Sequence, residues 1–271
     1  MFSLAYGFYE YVTQREELRV LVLGLDGAGK TCALERLKGA LPPAGGGAPP
    51  APLPASLVVP TVGLNTARAE LSGARLVLWD LGGAPGLRSI WDRYLDDAHA
   101  LAFVVDASPQ GRARLAEARD ALAALLASHE LAAAPLAVIA NKQDLGGALP
   151  AADVARALGL PPGGDRPEGA RVECAISAAA ASTDGGGGGG GGAGGGGSGA
   201  GAGAASGSAV ANGVGGAAAG GRPFRVFAVS ALGGPEPDAI LAESVRWLAD
   251  AASRGPRAAM LANRGGANGD R

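Results

Sequence analysis

The sequence predicts an α/β fold: a mostly parallel sheet of six strands with helices on both faces. Three observations carry that expectation. Short, near-continuous apolar runs recur along the chain, stretches of helical length separate them, and several runs end on an acid or a glycine. A strand that is apolar on both sides must be covered on both sides, as happens when a parallel sheet lies between helical layers.

The elements follow in order. LRVLVL at 18–23 reads as the first strand and ends in glycine, and a helical stretch follows from about Lys30 to Lys38. Extended segments come near 64–70 and 75–80, then ALAFVV at 100–105, bounded by Asp106. A long Ala/Leu/Arg helix is expected over about 111–128, LAVIA at 136–140 as a buried strand, and a short helix near 151–158. Late in the chain RVFAV at 225–229 is strand-like, and 238–252 is helical, with Ile240, Leu241, Val245 and Leu248 at helical spacing. In such sheets ligands bind at the carboxyl ends of the strands, so candidate motifs belong there.

Composition narrows the class. The chain has 271 residues and a net charge of −2, which gives no basic surface for nucleic acid. Two cysteines, Cys32 and Cys174, are too few for a disulfide framework and suit a reducing compartment. No apolar segment approaches the roughly 20 residues of a membrane span, and the N-terminus lacks signal-peptide features. A soluble, cytoplasmic protein is the expectation. Close to half of the 47 glycines lie between Gly185 and Gly221. That tract has little apolar surface to bury and maximal backbone entropy to lose, so disorder is expected there. PPAGGGAPPAPLPAS at 42–56 reads as a second irregular insertion. The resulting division is an N-terminal amphipathic helix at 1–15, one domain over 16–262 interrupted at 42–56 and about 163–222, and a disordered tail at 263–271.

Four motifs carry chemistry. GLDGAGKT (Gly24, Leu25, Asp26, Gly27, Ala28, Gly29, Lys30, Thr31) matches the phosphate-loop pattern, with a strand before it and a helix after. Its backbone N–H groups and the helix N-terminus can cradle phosphates, Lys30 can reach the β/γ-phosphates, and the Thr31 hydroxyl can ligate magnesium. NKQD follows the LAVIA strand. Asp144 can accept the two donors of a guanine edge, which adenine does not present, while Asn141 can bond the base edge and the Lys142 stem can lie along the ring. In WDLGGAPG, Asp80 is placed to hold magnesium through water and Gly83 to give its N–H to a γ-phosphate. PTVGLN supplies Thr61, which can bind magnesium and γ-phosphate together. The expected cofactors are GTP or GDP and Mg²⁺.

With these motifs in this order, the chain resembles the small GTPases, and more narrowly the ADP-ribosylation factor (Arf) family, whose hallmarks are GLDxAGKT, PTxGxN, WDxGGQ and NKQD. The start MFSLAYGFYEYV, the GLRSIWDRY stretch and the ESVRWLADAASRGPRAAMLANRGG tail look like a Golgi-associated branch of that family. The resemblance covers roughly 1–160 and 223–265. It implies the P-loop GTPase fold, GTP hydrolysis, and a monomer that moves from cytoplasm to Golgi or trans-Golgi membrane. It also implies an exchange factor, a GTPase-activating protein, a Golgi membrane-protein receptor and trafficking effectors as partners, with no nucleic acid. A fifth guanine-site element, Ser-Ala, has two candidates, CAISA at 174–178 (with Ser177) and VSAL at 229–232. The second leads into the final helix after a short turn, so Ser230 and Ala231 are preferred.

Two positions depart from the family pattern. Leu64 stands where phenylalanine is common, leaving Leu64, Trp79 and Tyr94 as the apolar effector patch. Ala84 stands where the family keeps the glutamine that orients the attacking water, and Pro85 stiffens the segment after it. Slow hydrolysis is therefore expected, with a GTP-bound scaffold as the alternative. Five of the nine Phe and Tyr residues lie in the first eleven positions, and Phe2, Tyr6 and Tyr9 share a helical face suited to a membrane interface. Residue 2 is Phe, so the glycine that N-myristoylation needs is absent at that position, and peripheral membrane contact is expected to need a second attachment. His99 and His129, Cys32, Trp247, and Arg112, Arg114 and Arg119 read as structural or solvated residues.

Overall fold

The computed structural model describes residues 17–71, 74–131, 133–161, 222–232 and 236–267. The 1–15 helix with Phe2, Tyr6 and Tyr9, the CAISA stretch and the 185–221 glycine tract lie outside the described residues.

The elements run β1 (Glu17–Leu23), α1 (Lys30–Ala40), β2 (Leu64–Leu71), β3 (Ala74–Leu81), α2 (Asp92–Leu95) and β4 (Ala100–Asp106). They continue as α3 (Leu115–Ala127), β5 (Leu136–Asn141), α4 (Ala151–Ala157), β6 (Phe224–Ala228), α5 (Glu236–Arg254) and α6 (Pro256–Ala267). The six strands form one sheet in the order β2-β3-β1-β4-β5-β6. Only β2 runs antiparallel to its neighbour.

Alternation along each strand feeds two cores. Val20 and Val22 of β1 join Ala102, Ile139 and the inward residues of α1 and α5, including Leu34, Val245 and Leu248. Leu21 and Leu23 point the other way, onto Phe103, Val138 and the α3–α4 layer through Leu122 and Val154. The central strands β4 and β5 are buried on both faces, which is why they read as unbroken apolar runs.

Register aligns the strand ends. Val22 pairs with Asp80 across β1–β3, and Asp106 pairs with Asn141 across β4–β5. The chain crosses from β3 on one side of β1 to β4 on its other side, so these ends open on a crevice where strand order reverses.

Two segments are more ordered than composition suggested. The insertion at 42–56 begins against the sheet edge, where Pro43 bridges Ala69 and the Glu70 N–H donates to the Pro42 carbonyl at 2.8 Å. The expected tail at 263–271 is helical as far as Ala267, because α6 continues past the expected boundary. Arg257 anchors α6: it is buried, and its guanidinium donates to the carbonyls of Leu95 (2.6 Å), Asp96 (3.3 Å) and Ala98 at the end of α2. Arg257 thereby bonds backbone carbonyls where α2 ends, the Leu95 carbonyl also accepting the Ala98 N–H at 3.3 Å.

Candidate nucleotide site

The phosphate loop leaves β1 at Leu23 and enters α1 at Lys30, with Gly29 as N-cap at φ 92°. No side chain caps this helix, so its first N–H groups are free for an anion. A Cβ on Gly29 would lie 2.2 Å from Asn141 Nδ2, so glycine is what lets the β5 loop brace the phosphate loop. Lys30 is buried and its Nζ donates to the Leu25 carbonyl at 2.9 Å. Burial pushes its pKa down, opposed by the charges of Asp80 and Asp26.

Asp80 and two threonines form an oxygen cluster beside Lys30. Asp80 Oδ2 lies 2.7 Å from Thr31 Oγ1 and 3.1 Å from Thr61 Oγ1, and the two hydroxyls are 2.7 Å apart. Three close O···O contacts thus share two hydroxyl protons while the carboxylate is ionised. Asp80 Oδ1 is buried with no hydrogen-bond partner. Burial raises the Asp80 pKa, against the Thr31 hydrogen bond and the Lys30 charge. A compact, oxygen-only set with one orphaned carboxylate oxygen fits a hard divalent cation such as Mg²⁺.

The segment after β3 lies over the phosphate loop. Trp91 Nε1 donates to the Gly82 carbonyl at 3.0 Å. That carbonyl and the Gly83 N–H belong to one planar trans peptide, so holding the first aims the second in the opposite direction. A Cβ on Gly83 would stand 2.3 Å from the Gly24 carbonyl oxygen, 2.5 Å from Lys30 Nζ and 2.6 Å from the Asp26 nitrogen. Only glycine permits this approach. Ala84 follows in extended backbone and Pro85 opens a 3-10 turn, Pro85–Ile90. The Ala84 methyl can neither donate to nor accept from a water.

At the other end, Asn141 terminates β5. Its Nδ2 donates to the Ala28 carbonyl at 2.8 Å and its Oδ1 accepts the Ala231 N–H at 2.9 Å. The sequence reading gave Asn141 a base-edge contact; in the structure its amide also ties two loops through backbone, and its second N–H is not used in that tie. Ser230 Oγ donates to Asp144 Oδ1, so of the two Ser-Ala candidates the described structure brings Ser230 and Ala231 to the NKQD loop. Lys142 adopts φ 67°, and its Nζ pairs with Asp106 Oδ2 at 2.6 Å.

The three residues expected to form an apolar patch, Leu64, Trp79 and Tyr94, lie on β2, β3 and α2. Trp79 and Tyr94 meet edge to face at 5.4 Å, and the Arg19 guanidinium lies 5.8 Å over the Trp79 ring. Leu64 is exposed and pairs with Leu81 two positions from Trp79, which puts it on the same face of the sheet.

The sequence reading missed one group of charges. Arg114, expected on a solvated face with Arg112 and Arg119, instead forks onto Asp26 of the phosphate loop at 2.8 and 3.2 Å. Its spacing from Glu117, one helical turn on, was the available signal; the link to Asp26 spans 88 residues and had none. Arg112 donates to the Gly147 carbonyl and Arg119 pairs with Asp120. His99 Nδ1 accepts the Arg19 N–H at 3.2 Å, and burial drops its pKa to about 4, which keeps it a neutral acceptor. His129 is exposed, and no His/Cys/Asp/Glu cluster of metal-binding form occurs among the described residues.

The ADP-ribosylation factor family model matches residues 6–182, a span that ends before β6 and Ser230. Human ADP-ribosylation factor-related protein 1 is 37% identical over 158 residues, covering 58% of this chain and 75% of that protein. ADP-ribosylation factor-like protein 1 of Caenorhabditis elegans is 39% identical over 144 residues, covering 53% and 72%. Among solved structures, the Arl6 BBS3 small GTPase from Trypanosoma brucei, with bound nucleotide analogue GppNp, superposes with a TM-score of 0.54. It shares 23% identity and covers 88% of this chain and 98% of its own, a likeness of fold. The chain belongs to the ADP-ribosylation factor family of small GTPases, guanine-nucleotide-binding switches.

Proposed function

We propose that this protein is a magnesium-dependent GTP/GDP switch of Golgi-associated traffic that recruits effectors to membrane in its GTP state. The observation that carries the reading is the oxygen cluster of Thr31, Thr61 and Asp80, with its orphaned carboxylate oxygen, next to buried Lys30 and a free helix N-terminus. Phosphates would lie on the backbone of Gly24, Leu25, Asp26, Gly27, Ala28 and Gly29, held by Lys30 and Thr31. Thr61 and the Gly83 N–H would report the γ-phosphate. Asp144 would read guanine, with Asn141 at the base edge, Lys142 along the ring, and the Ala231 backbone and Ser230 beside them. Magnesium held by Thr31 and Thr61, and by Asp80 through water, neutralises phosphate charge when bound.

Membrane attachment is assigned to the aromatic N-terminal segment together with a Golgi membrane-protein receptor. An exchange factor and a GTPase-activating protein would drive the cycle. Turnover is slow in this reading, because Ala84 offers the water no hydrogen bond. The same residue favours a second reading, a GTP-bound scaffold with little or no hydrolysis.

Nucleotide competition on the purified full chain tests the central claim. GTP and GDP should bind in the presence of magnesium, and ATP should not compete at a hundredfold excess. Asp144→Asn should weaken guanine and improve xanthine nucleotides, since the acid that accepts the guanine donors becomes an amide. Equal affinity for ATP and GTP would overturn the assignment.

A further inference from the structure

Four charges at the mouth of the phosphate loop close into a ring of alternating sign. Arg114 lies 2.8 Å from Asp26 and 2.9 Å from Glu117; Arg88 lies 2.6 Å from Glu117 and 3.8 Å from Asp26. The ring joins three elements distant in sequence: the phosphate loop, the 3-10 turn Pro85–Ile90, and the start of α3. Two of its members also hold backbone. Arg88 Nε donates to the Gly83 carbonyl at 2.9 Å, and Arg114 Nη1 donates to the Asp26 carbonyl at 3.1 Å. Gly83 and Asp26 are the residues that face each other across the loop, as the 2.6 Å from a Gly83 Cβ to the Asp26 nitrogen shows.

We propose that Arg88 is a positioning residue for the Gly83 γ-phosphate contact, and that Arg114 holds the phosphate loop through the same ionic ring. The inference rests on the nucleotide reading above. Trp91 holds the peptide before Gly83 and Arg88 holds the one after it, so both planes flanking the sensor are pinned by side chains. The ring answers a second need. Asp26 would set a carboxylate beside bound phosphates, and two arginines cover its charge. Their pull holds the Asp26 carboxyl below its usual pKa, Arg114 acting first through its hydrogen bond. Glu117 is held low by the same two partners.

Global stability is not the main product of this ring. Its side chains are 21–48% exposed, where ion pairs contribute little. Its effect falls on geometry at Gly83, which meets only the third phosphate. Losing Arg88 therefore penalises the triphosphate state alone. Losing Arg114 uncovers Asp26 and loosens the loop, so it penalises both states.

The test measures affinity of the full chain, with magnesium, for GDP and for a non-hydrolysable GTP analogue. Arg88→Ala should weaken the analogue by about tenfold and GDP by less than about twofold, at an unchanged melting temperature. Arg114→Ala should weaken both by similar factors. Arg112→Ala, outside the ring, should change neither. Glu117→Gln keeps a hydrogen-bond acceptor while removing the charge, and should lower the analogue-to-GDP preference by a smaller factor in the same direction. It serves as the reporter if Arg88→Ala fails to fold. An unchanged preference in Arg88→Ala, or equal losses of both nucleotides, would overturn the proposal while leaving the nucleotide reading intact. A wild-type chain that binds neither nucleotide ends both.

Discussion

The two ends of the crevice are built differently. At the NKQD end the polar side chains bond to the protein itself: Asn141 joins two loops, Ser230 donates to Asp144, and Lys142 pairs with Asp106. At the Asp80 end three oxygens crowd together with too few protons, and one carboxylate oxygen has no partner. The first end is a brace whose hydrogen bonds stabilise the fold before any ligand arrives. The second holds unmet coordination, which a cation would satisfy in the proposed reading. Mutation at the first end should therefore lower stability and binding together, and mutation at the second should lower binding alone.

The brace is the easier end to break. Asn141→Ala would orphan the Ala28 carbonyl and the Ala231 N–H, each at about 1–3 kcal/mol when buried. Thermal unfolding should fall by several degrees even without nucleotide, and affinities for GTP and GDP should drop together. An unaltered melting temperature would show that the two loops hold without the tie.

Asp80→Ala sharpens the contrast. It removes a buried carboxylate with one unbonded oxygen but also the charge that offsets buried Lys30, so these effects oppose each other and unfolding of the nucleotide-free protein should change little. Magnesium-dependent nucleotide retention should nevertheless fall by about a hundredfold, read from release rates across a magnesium titration. Full retention in this variant would place the cation elsewhere.

The smallest change concerns turnover alone. Ala84→Gln should leave stability and nucleotide affinity alone and raise single-turnover hydrolysis by about ten- to a hundredfold, roughly 1.4–3 kcal/mol of barrier. Pro85 opens the next turn and holds the segment, so the double change with Pro85→Val is the fairer comparison. If the wild type already hydrolyses GTP as fast as the double variant, another group positions the water and the scaffold reading falls.

Much of this architecture is legible in local sequence. The buried strands of the parallel half announce themselves because both faces are apolar, and the phosphate loop and NKQD are contiguous strings whose neighbours set their context. Ala84 is equally plain, since its position in WDLGGAPG follows from counting. Other features depend on distant partners. Arg114 shares its helix with ordinary surface arginines, and only the approach of the phosphate loop separates it from Arg119. Asn141 has the residue type of a base reader, but Gly29 and Ala231 are brought within reach of it by the crossing of β5 and the turn after β6. Arg257 reads as one more basic residue near the chain end until α6 lays it against the carbonyls of α2.

The residues alone thus determined the class of fold, the guanine-nucleotide-binding family and the absence of glutamine at 84, because periodicity and motif identity are local properties. Tertiary structure decided that Ser230 meets Asp144, that Asn141 ties the Ala28 and Ala231 backbones, and that Asp26, Arg88, Arg114 and Glu117 form one ring. Each of those depends on side chains tens of residues apart arriving within hydrogen-bond distance, and hydrogen bonds and ion pairs act only at that range.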